Sequence, residues 1–447
     1  MIRWAKPLFM GGLAGLLVSA VLMVAFFSAN GASLGHKLPQ ARAHIAQAFA
    51  SGELGEEDWL RGNSQTGQHQ FNDCLILGMA VDQRGPSAHL AVSPIFPGSS
   101  DLDHLCADLK GWINGAPAAG PPLSYHNYLH GHTLLARWML PEMSVSAIRA
   151  LYRNALVLVV MAGLGLALTG LARRKAVAAN LFWAAIFISF ARFFGLEAFG
   201  PSLSHGPSDL VALSGALVLC VATQRGGMGV RAAMAFGAVL GSFTILFEFL
   251  TGGIPLGLAL VTGGMAFAIR SDARDAMLQS IIGAFGAFCA AVATGLLAKA
   301  IVTLHVFGLD AVRATAKELG ARMALNDGPR GAIDTGLYPF AKGVLKGLDG
   351  LVPGTHLMSA LMILMTVIAG AWGIRQLWRS VDSLTAVRVR ALLLSNALIA
   401  LLLLMFWQHT MIHAWFMDRV LAWMIGSGLA LFGLALIERD AGVQPQG

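Results

Sequence analysis

The chain has 447 residues, 56% of them hydrophobic and 12% charged, where a soluble domain carries roughly a quarter charged residues, so much of it faces lipid. The formal charge is +7, but no basic run is interleaved with aromatics, which excludes nucleic acid as a partner. Four cysteines include no Cys-x-x-Cys pair, which excludes zinc-ribbon and thioredoxin-like chemistry.

A helix needs about 20 apolar residues to cross a bilayer. Such stretches predict ten spans, at 8–28, 149–171, 178–194, 209–224, 232–250, 254–269, 277–305, 355–374, 389–407 and 412–437. The fold class is an all-α polytopic membrane protein with about ten transmembrane helices and a mixed first loop. The span 277–305 is long enough to tilt or to project beyond the membrane. The spans 232–250 and 254–269 form a tight hairpin about Gly252-Gly253-Ile254-Pro255.

Lys and Arg in short loops set the orientation. Arg3 and Lys6 precede the first span, and Arg173, Arg174 and Lys175 follow the second. Arg225, Arg231, Arg270, Arg274, Arg375, Arg379, Arg388 and Arg390 fall in alternate loops, while 251–254 and 408–411 carry neither residue. Both termini are then cytoplasmic. The parts are an anchor at 1–28, an outer loop domain at 29–148, spans over 149–305, a second outer segment at 306–354, spans over 355–437 and a tail at 438–447. The small residues at Ser28–Ala32 would suit signal cleavage, but the apolar region exceeds the 7–15 residues of a signal peptide. An uncleaved anchor is the expectation.

In the loop domain, Leu38, Ala41, Ile45, Ala48 and Phe49 have helical spacing. They predict an amphipathic helix, lying either on the membrane surface or against the rest of the loop. Glu53, Glu56, Glu57 and Asp58 follow as an acidic patch, then the apolar run 75–81. Cys74 and Cys106 share the outer compartment and are expected to form a disulfide. Cys220 and Cys289 fall within spans. The second outer segment carries Arg313, Lys317, Arg322, Arg330, Lys342 and Lys346, with two short helices expected around Asn326-Asp327-Gly328-Pro329.

Four sites could carry chemistry. In Phe71-Asn72-Asp73-Cys74, Asp73 is either a general base on a hydroxyl or a capping or surface carboxylate. Tyr125 to His132, with Arg137 beyond, brings His130 and His132 to a membrane entry. The helical His/His/Glu arrangement of a zinc site is absent, so phosphate binding fits better than metal, with an interfacial aromatic belt as the plain alternative. Glu248 and Lys299 lie near span ends, where an uncompensated charge costs about 2.5 kcal/mol or more. They either pair with each other or meet an anionic head group. Last, His409 and His413 are four apart on one helix face, with Asp418 and Arg419 beyond. Arg419 needs an anionic partner, a phosphate or Glu248. All four sites fall on the outer side of the expected topology. No Walker A, Gly-x-Ser-x-Gly or His-Glu-x-x-His motif occurs.

The layout resembles the polytopic GT-C glycosyltransferases that use polyprenyl-phosphate sugars. It is also similar to a group of bacterial multipass proteins, through Asn72-Asp73-Cys74, Tyr128 to His132, Glu248 to Thr251, and His409 through His413 to Arg419. The GT-C resemblance implies an inverting sugar transfer at the outer face of a bacterial inner membrane. Asp73 would be the base, although the acidic residue of that class lies nearer the first span, which keeps Glu53, Glu56 and Asp58 open. Arg419 and Lys299, with His130 or His132, would hold the donor phosphate. The implied partners are a polyprenyl-phosphate sugar and a glycan, lipid or protein acceptor, with no cofactor. The rivals are a polymerase, ligase or acyltransferase of envelope polymers, for which Arg313, Arg322 and Arg330 would serve, and a transporter or flippase. A transporter would bring broken helices or an inverted repeat, and neither is visible in the sequence. A structural subunit would merely pair its buried charges.

Overall fold

The computed structural model describes residues 2–58, 64–97, 104–118, 120–197, 199–248, 250–270, 274–323, 356–377 and 383–442. Helix α1 (Ile2–Ala32) leads into a loop domain of α2 (Leu38–Ala50), α3 (Ser64–Val81), α4 (Ser87–Val92), β1 (Ile95–Phe96), α5 (Leu105–Ile113), β2 (Leu123–Ser124) and α6 (Gly131–Met139). The strands pair antiparallel with Ile95 opposite Ser124. Helices fill the rest: α7 (Val145–Ala172), α8 (Val177–Phe193), α9 (His205–Gln224), α10 (Val230–Phe247), α11 (Gly253–Ala259), α12 (Arg274–Phe307), α13 (Leu309–Arg322), α14 (His356–Leu377), α15 (Ser383–Met405), α16 (Trp407–Ile412), α17 (Ala414–Met417) and α18 (Leu421–Gly442).

Six described helices are long and apolar enough to cross a membrane: Trp4–Ala32, Val145–Ala172, His205–Gln224, Val230–Phe247, Arg274–Phe307 and Leu384–Met405. Val177–Phe193, Gly253–Phe267 and Leu421–Ile437 are shorter apolar helices. Along α1, Phe9 is 71% exposed and Val21 and Val24 are 70% exposed. A contiguous apolar surface of this kind needs a covering, and a bilayer provides it. The chain is accordingly an all-α, multi-pass membrane protein. Helix α12 has 34 residues, about 51 Å at 1.5 Å per residue, against ~30 Å of hydrocarbon. Upright, it exceeds the hydrocarbon by about 20 Å, and its far end meets the loop domain through Lys299.

Packing explains the arrangement. Helix α12 lies between α1 and α10; α7 packs on α8 and α9; α18 joins α8 to α14; α11 packs on α15. The bundle core centres on aromatic rings: Phe182 stacks on Phe267 with centroids 4.0 Å apart, and Trp423 stands edge-on to Phe182 at 5.9 Å. The indoles of Trp183 and Trp423 donate to Thr223 and Ser395 at 2.9 Å, so neither buried N–H is left without an acceptor.

The apolar face of α2 takes the second of its two expected seats, against the rest of the loop and not on a membrane surface. Ala41, Ile45, Ala48 and Phe49 are buried against the loop domain and the start of α7, because α3 and α5 supply the apolar partners that α2 needs. The stretch 412–437 is not one span. The chain turns at His413, passes through α17 and a 3-10 turn at Asp418–Val420, and runs as a continuous helix only from Leu421. A second interruption follows α11, where the backbone widens to a π turn at Leu260–Gly264 and tightens to 3-10 at Met265–Phe267. The expected turn at 326–329 and the basic residues Arg330, Lys342 and Lys346 lie outside the described residues.

Candidate functional site

Six segments meet where the loop domain sits on the bundle. Helix α3 supplies Phe71, Asn72 and Leu75, and the stretch after β2 supplies Tyr125, Asn127 and Tyr128. The turn after α10 supplies Thr251; α9 supplies His205; the interrupted segment supplies His409, His413 and Phe416; and α13 supplies Glu318 and Arg322. Together they enclose a cavity of about 260 Å³. A second cavity of about 210 Å³ adjoins it and shares Asn127, Tyr128, Glu318 and Arg322 as a wall. Its other lining is mostly apolar, with Leu129, Ile245, Leu250, Ile254, Leu296, Leu319 and Phe406 beside Glu248 and Lys299. The first chamber is the more polar of the two, although Phe71, Leu75, Phe96 and Phe416 make much of its wall apolar, and a guanidinium and a carboxylate stand between the two.

Glu318 and Arg322 are one turn apart on α13 and pair at 3.1 Å. Arg322 Nη1 also lies 3.4 Å from His409 Nδ1, and His409 Nε2 lies 2.9 Å from the Leu250 carbonyl. A guanidinium only donates and a carbonyl only accepts. The His409 proton therefore sits on Nε2, and Nδ1 receives Arg322. The rings of His409 and His413 are 4.5 Å apart.

The lining and the sequence expectations differ within each motif. Asp73 is 1% exposed and turned from the cavity. It pairs with Arg149 of α7 at 2.6 Å and accepts from Leu203 N at 2.7 Å and Ser202 Oγ at 3.1 Å. Adjacent helical residues point about 100° apart, so with Asp73 inward it is Asn72 that faces the cavity. The other acidic candidates are also occupied. Asp58 accepts from Leu105 N and Cys106 N at the start of α5, at 2.9 and 2.7 Å. Glu56 pairs with Lys110 on the surface. Glu53 differs: its backbone carbonyl accepts from Arg149 at 3.1 Å, while its carboxylate Oε1 is buried without a hydrogen-bond partner among the described residues and outside the cavity lining.

His130, His132 and Arg137 are buried behind the cavity rather than in its lining. His130 Nε2 contacts the Tyr125 carbonyl at 2.9 Å, and Arg137 donates to Asn30 Oδ1 at 2.8 Å. Burial lowers the His132 imidazole to about 3 and the Arg137 guanidinium to about 10. The Tyr128 phenol is pushed by burial up to about 12, so it stays an O–H donor in the shared wall.

Glu248 and Lys299 do not pair with each other. Glu248 accepts from Thr251 N at 2.7 Å and Ile254 N at 2.8 Å, capping the N-terminus of α11 where unsatisfied N–H groups favour an anion. Lys299 donates to Val92 O at 2.6 Å and Ser93 Oγ at 2.9 Å, fixing the far end of α12 to the loop domain.

Arg419 is 1% exposed and its partner is Asp209 of α9, at 2.7 Å, not Glu248. It also donates to Thr251 O at 2.9 Å and lies between the rings of Phe194 and Phe199, 5.2 and 5.1 Å from their centroids. It does not reach the cavity as a phosphate ligand. His205 and Asp209 were missed in the sequence, although an Asp at the head of an apolar span is a signal in itself. Glu318 was missed as well; its i, i+4 spacing to Arg322 was the available sign. Among the described residues no group of three or more His, Cys, Asp or Glu could hold a metal ion.

Comparison with known protein families, with curated proteins and with solved structures returns no match for this chain.

Proposed function

We propose that the protein is a membrane transferase that moves a sugar from a polyprenyl-phosphate donor to an acceptor in the bacterial cell envelope, at the outer face of the inner membrane. The observation that carries this reading is the pair of adjoining chambers, one richer in polar side chains and one more apolar, sharing a wall that contains Arg322 and Glu318. A lipid-linked anion has the same two halves. Its isoprenoid end fits the leucine-lined chamber. Its phosphate belongs beside Arg322, whose guanidinium is suited to phosphate oxygens. Lys299 stands along the apolar chamber as a second cation. The sugar and the acceptor hydroxyl would occupy the polar chamber. Glu318, the carboxylate in the lining of that chamber, takes the base role expected of Asp73: it accepts the acceptor hydroxyl proton as the oxygen attacks the anomeric carbon and the polyprenyl phosphate leaves.

The test is turnover of radiolabelled polyprenyl-phosphate sugars by the full chain in nanodiscs, with extracted envelope acceptors. Wild type transfers label. Glu318→Gln lowers the rate by about 10²–10⁴, the usual contribution of a general base. Asp73→Asn lowers the yield of folded protein but not the rate per folded molecule. Equal rates for wild type and Glu318→Gln would remove Glu318 from the chemistry.

A second reading, a lipid or solute transporter, is favoured by one observation. The interrupted segment before α18 lines the cavity with His409, His413 and Phe416, and discontinuous helices often form transport sites. Translocation of a labelled lipid phosphate across proteoliposomes, without chemical change to it, would select this reading.

A further inference from the structure

The polar chamber is backed by hydrogen bonds that run in one direction. Arg419 donates to Asp209 at 2.7 Å and approaches His205 Nδ1 at 3.1 Å through Nη2. Since a guanidinium only donates, Nδ1 of His205 accepts, and the imidazole proton sits on Nε2. Nε2 lies 3.3 Å from Asn72 Nδ2, and two donors cannot face each other. An imidazole N–H needs an acceptor, and the partner decides which end of an amide faces it. The Asn72 oxygen therefore turns to His205, and its NH2 group turns toward the cavity that Asn72 lines. Arg419, His205 and Asp209 are all buried, where hydrogen bonds polarise one another more strongly than in water. The two phenylalanine rings on Arg419 hold the guanidinium plane.

We propose that Asn72 donates its amide N–H to a phosphoryl oxygen of the ligand, and that Asp209, Arg419 and His205 are positioning residues that fix this direction. The proposal rests on the polar chamber being the head-group site. It places a neutral donor on the wall formed by α3 and a cation, Arg322, on the wall formed by α13. Such a chamber offers a phosphate ester a donor on each wall, with Glu318 paired to Arg322 on the second.

The test uses the full chain in nanodiscs with three probes, farnesyl phosphate, farnesol and inorganic phosphate, and the variant Asn72→Asp. The Asp side chain keeps an acceptor for His205 but removes the donor. Wild type is expected to bind farnesyl phosphate more tightly than farnesol. Asn72→Asp, which loses the donor and sets a like charge beside the phosphate, is expected to lose about tenfold or more toward farnesyl phosphate, while its farnesol affinity is unchanged. Unchanged affinity of Asn72→Asp for farnesyl phosphate would overturn the role of Asn72 and leave the head-group reading standing. A wild type that does not distinguish farnesyl phosphate from farnesol would overturn both. Tight binding of inorganic phosphate with the same Asn72 dependence would keep the donor and overturn the lipid-linked source. A second measurement needs no folded Asn72 variant. Nitrogen NMR of 15N-histidine-labelled wild type, with His205 assigned by its loss in His205→Gln, is expected to show a protonated Nε2 and a bare Nδ1. A protonated Nδ1 would reverse the direction and refute the proposal.

Discussion

A methyl group on Gly131 would come within 2.7 Å of the Leu246 carbonyl and 2.8 Å of the Phe247 ring, so α6 enters at a point where only glycine lets the loop domain reach the end of α10. His130, just before it, takes the left-handed conformation at φ 62°. This close seating is what removes the neighbouring histidines from water. Burial lowers His132 to about 3, and burial with the nearby Lys299 charge lowers His126 to about 4. The unfolded chain takes up these protons near pH 6.5, the folded one only far below. The stability from keeping them neutral is therefore present above pH 6.5 and is lost as pH falls toward 4. For His132 the loss reaches about 2 kcal/mol at pH 5. The melting temperature in detergent is expected to fall between pH 7 and pH 5, and to fall less in His132→Asn; parallel curves would contradict this. The sequence marked these histidines as unusual but could not separate a buried ring from a ligand. The same limit applies to Asn72 and Asp73. They are neighbours on one helix, and only the packing of α3 on α5 and α6, with Arg149 of α7 meeting Asp73, decides which turns inward.

At the scale of helices, apolar length was legible because lipid demands it: six of the expected stretches are described helices long and apolar enough to cross a membrane. The interruptions were not legible, since 412–437 contains enough apolar residues to pass as one helix. The break at Asp418–Val420 coincides with the Arg419–Asp209 pair, a contact between residues 210 positions apart that no local pattern encodes. Close helix packing, by contrast, can be tested directly. A Cβ on Gly11 or Gly15 of α1 would overlap the backbone of Gly283 or Ala287 of α12, and Ser19 donates to the Ala291 carbonyl at 2.9 Å. Small residues let backbones approach in this way where lipid gives no hydrophobic drive. Gly15→Leu is expected to destabilise the folded protein by about 1–3 kcal/mol, the usual cost of overpacking. Gly12→Leu, where a Cβ meets nothing within 4 Å, is the control and should melt as wild type. Equal melting of both variants would mean that α1 is not seated on α12 as described.

Across the whole molecule, the loop domain and the bundle share their fixing points. Cys74 and Cys106 form a disulfide that ties α3 to α5, with Cα atoms 5.3 Å apart and a sequence separation of 32. Asp73, the next residue on α3, holds Arg149 of α7 and the backbone of Leu203 before α9. Lys299 ties the end of α12 to the chain after α4. A loop domain held at so many points has no boundary along which to melt alone. Closing a loop of this length is worth roughly 4 kcal/mol in the chain-entropy account. Reduction, or the Cys74→Ser/Cys106→Ser pair, should then move a single cooperative transition to lower temperature, and affinity for farnesyl phosphate should fall with it because Asn72 rides on α3. Two separate transitions after reduction would show instead that the loop domain is an independent unit, with the cavity wall it supplies able to detach while the bundle stays folded.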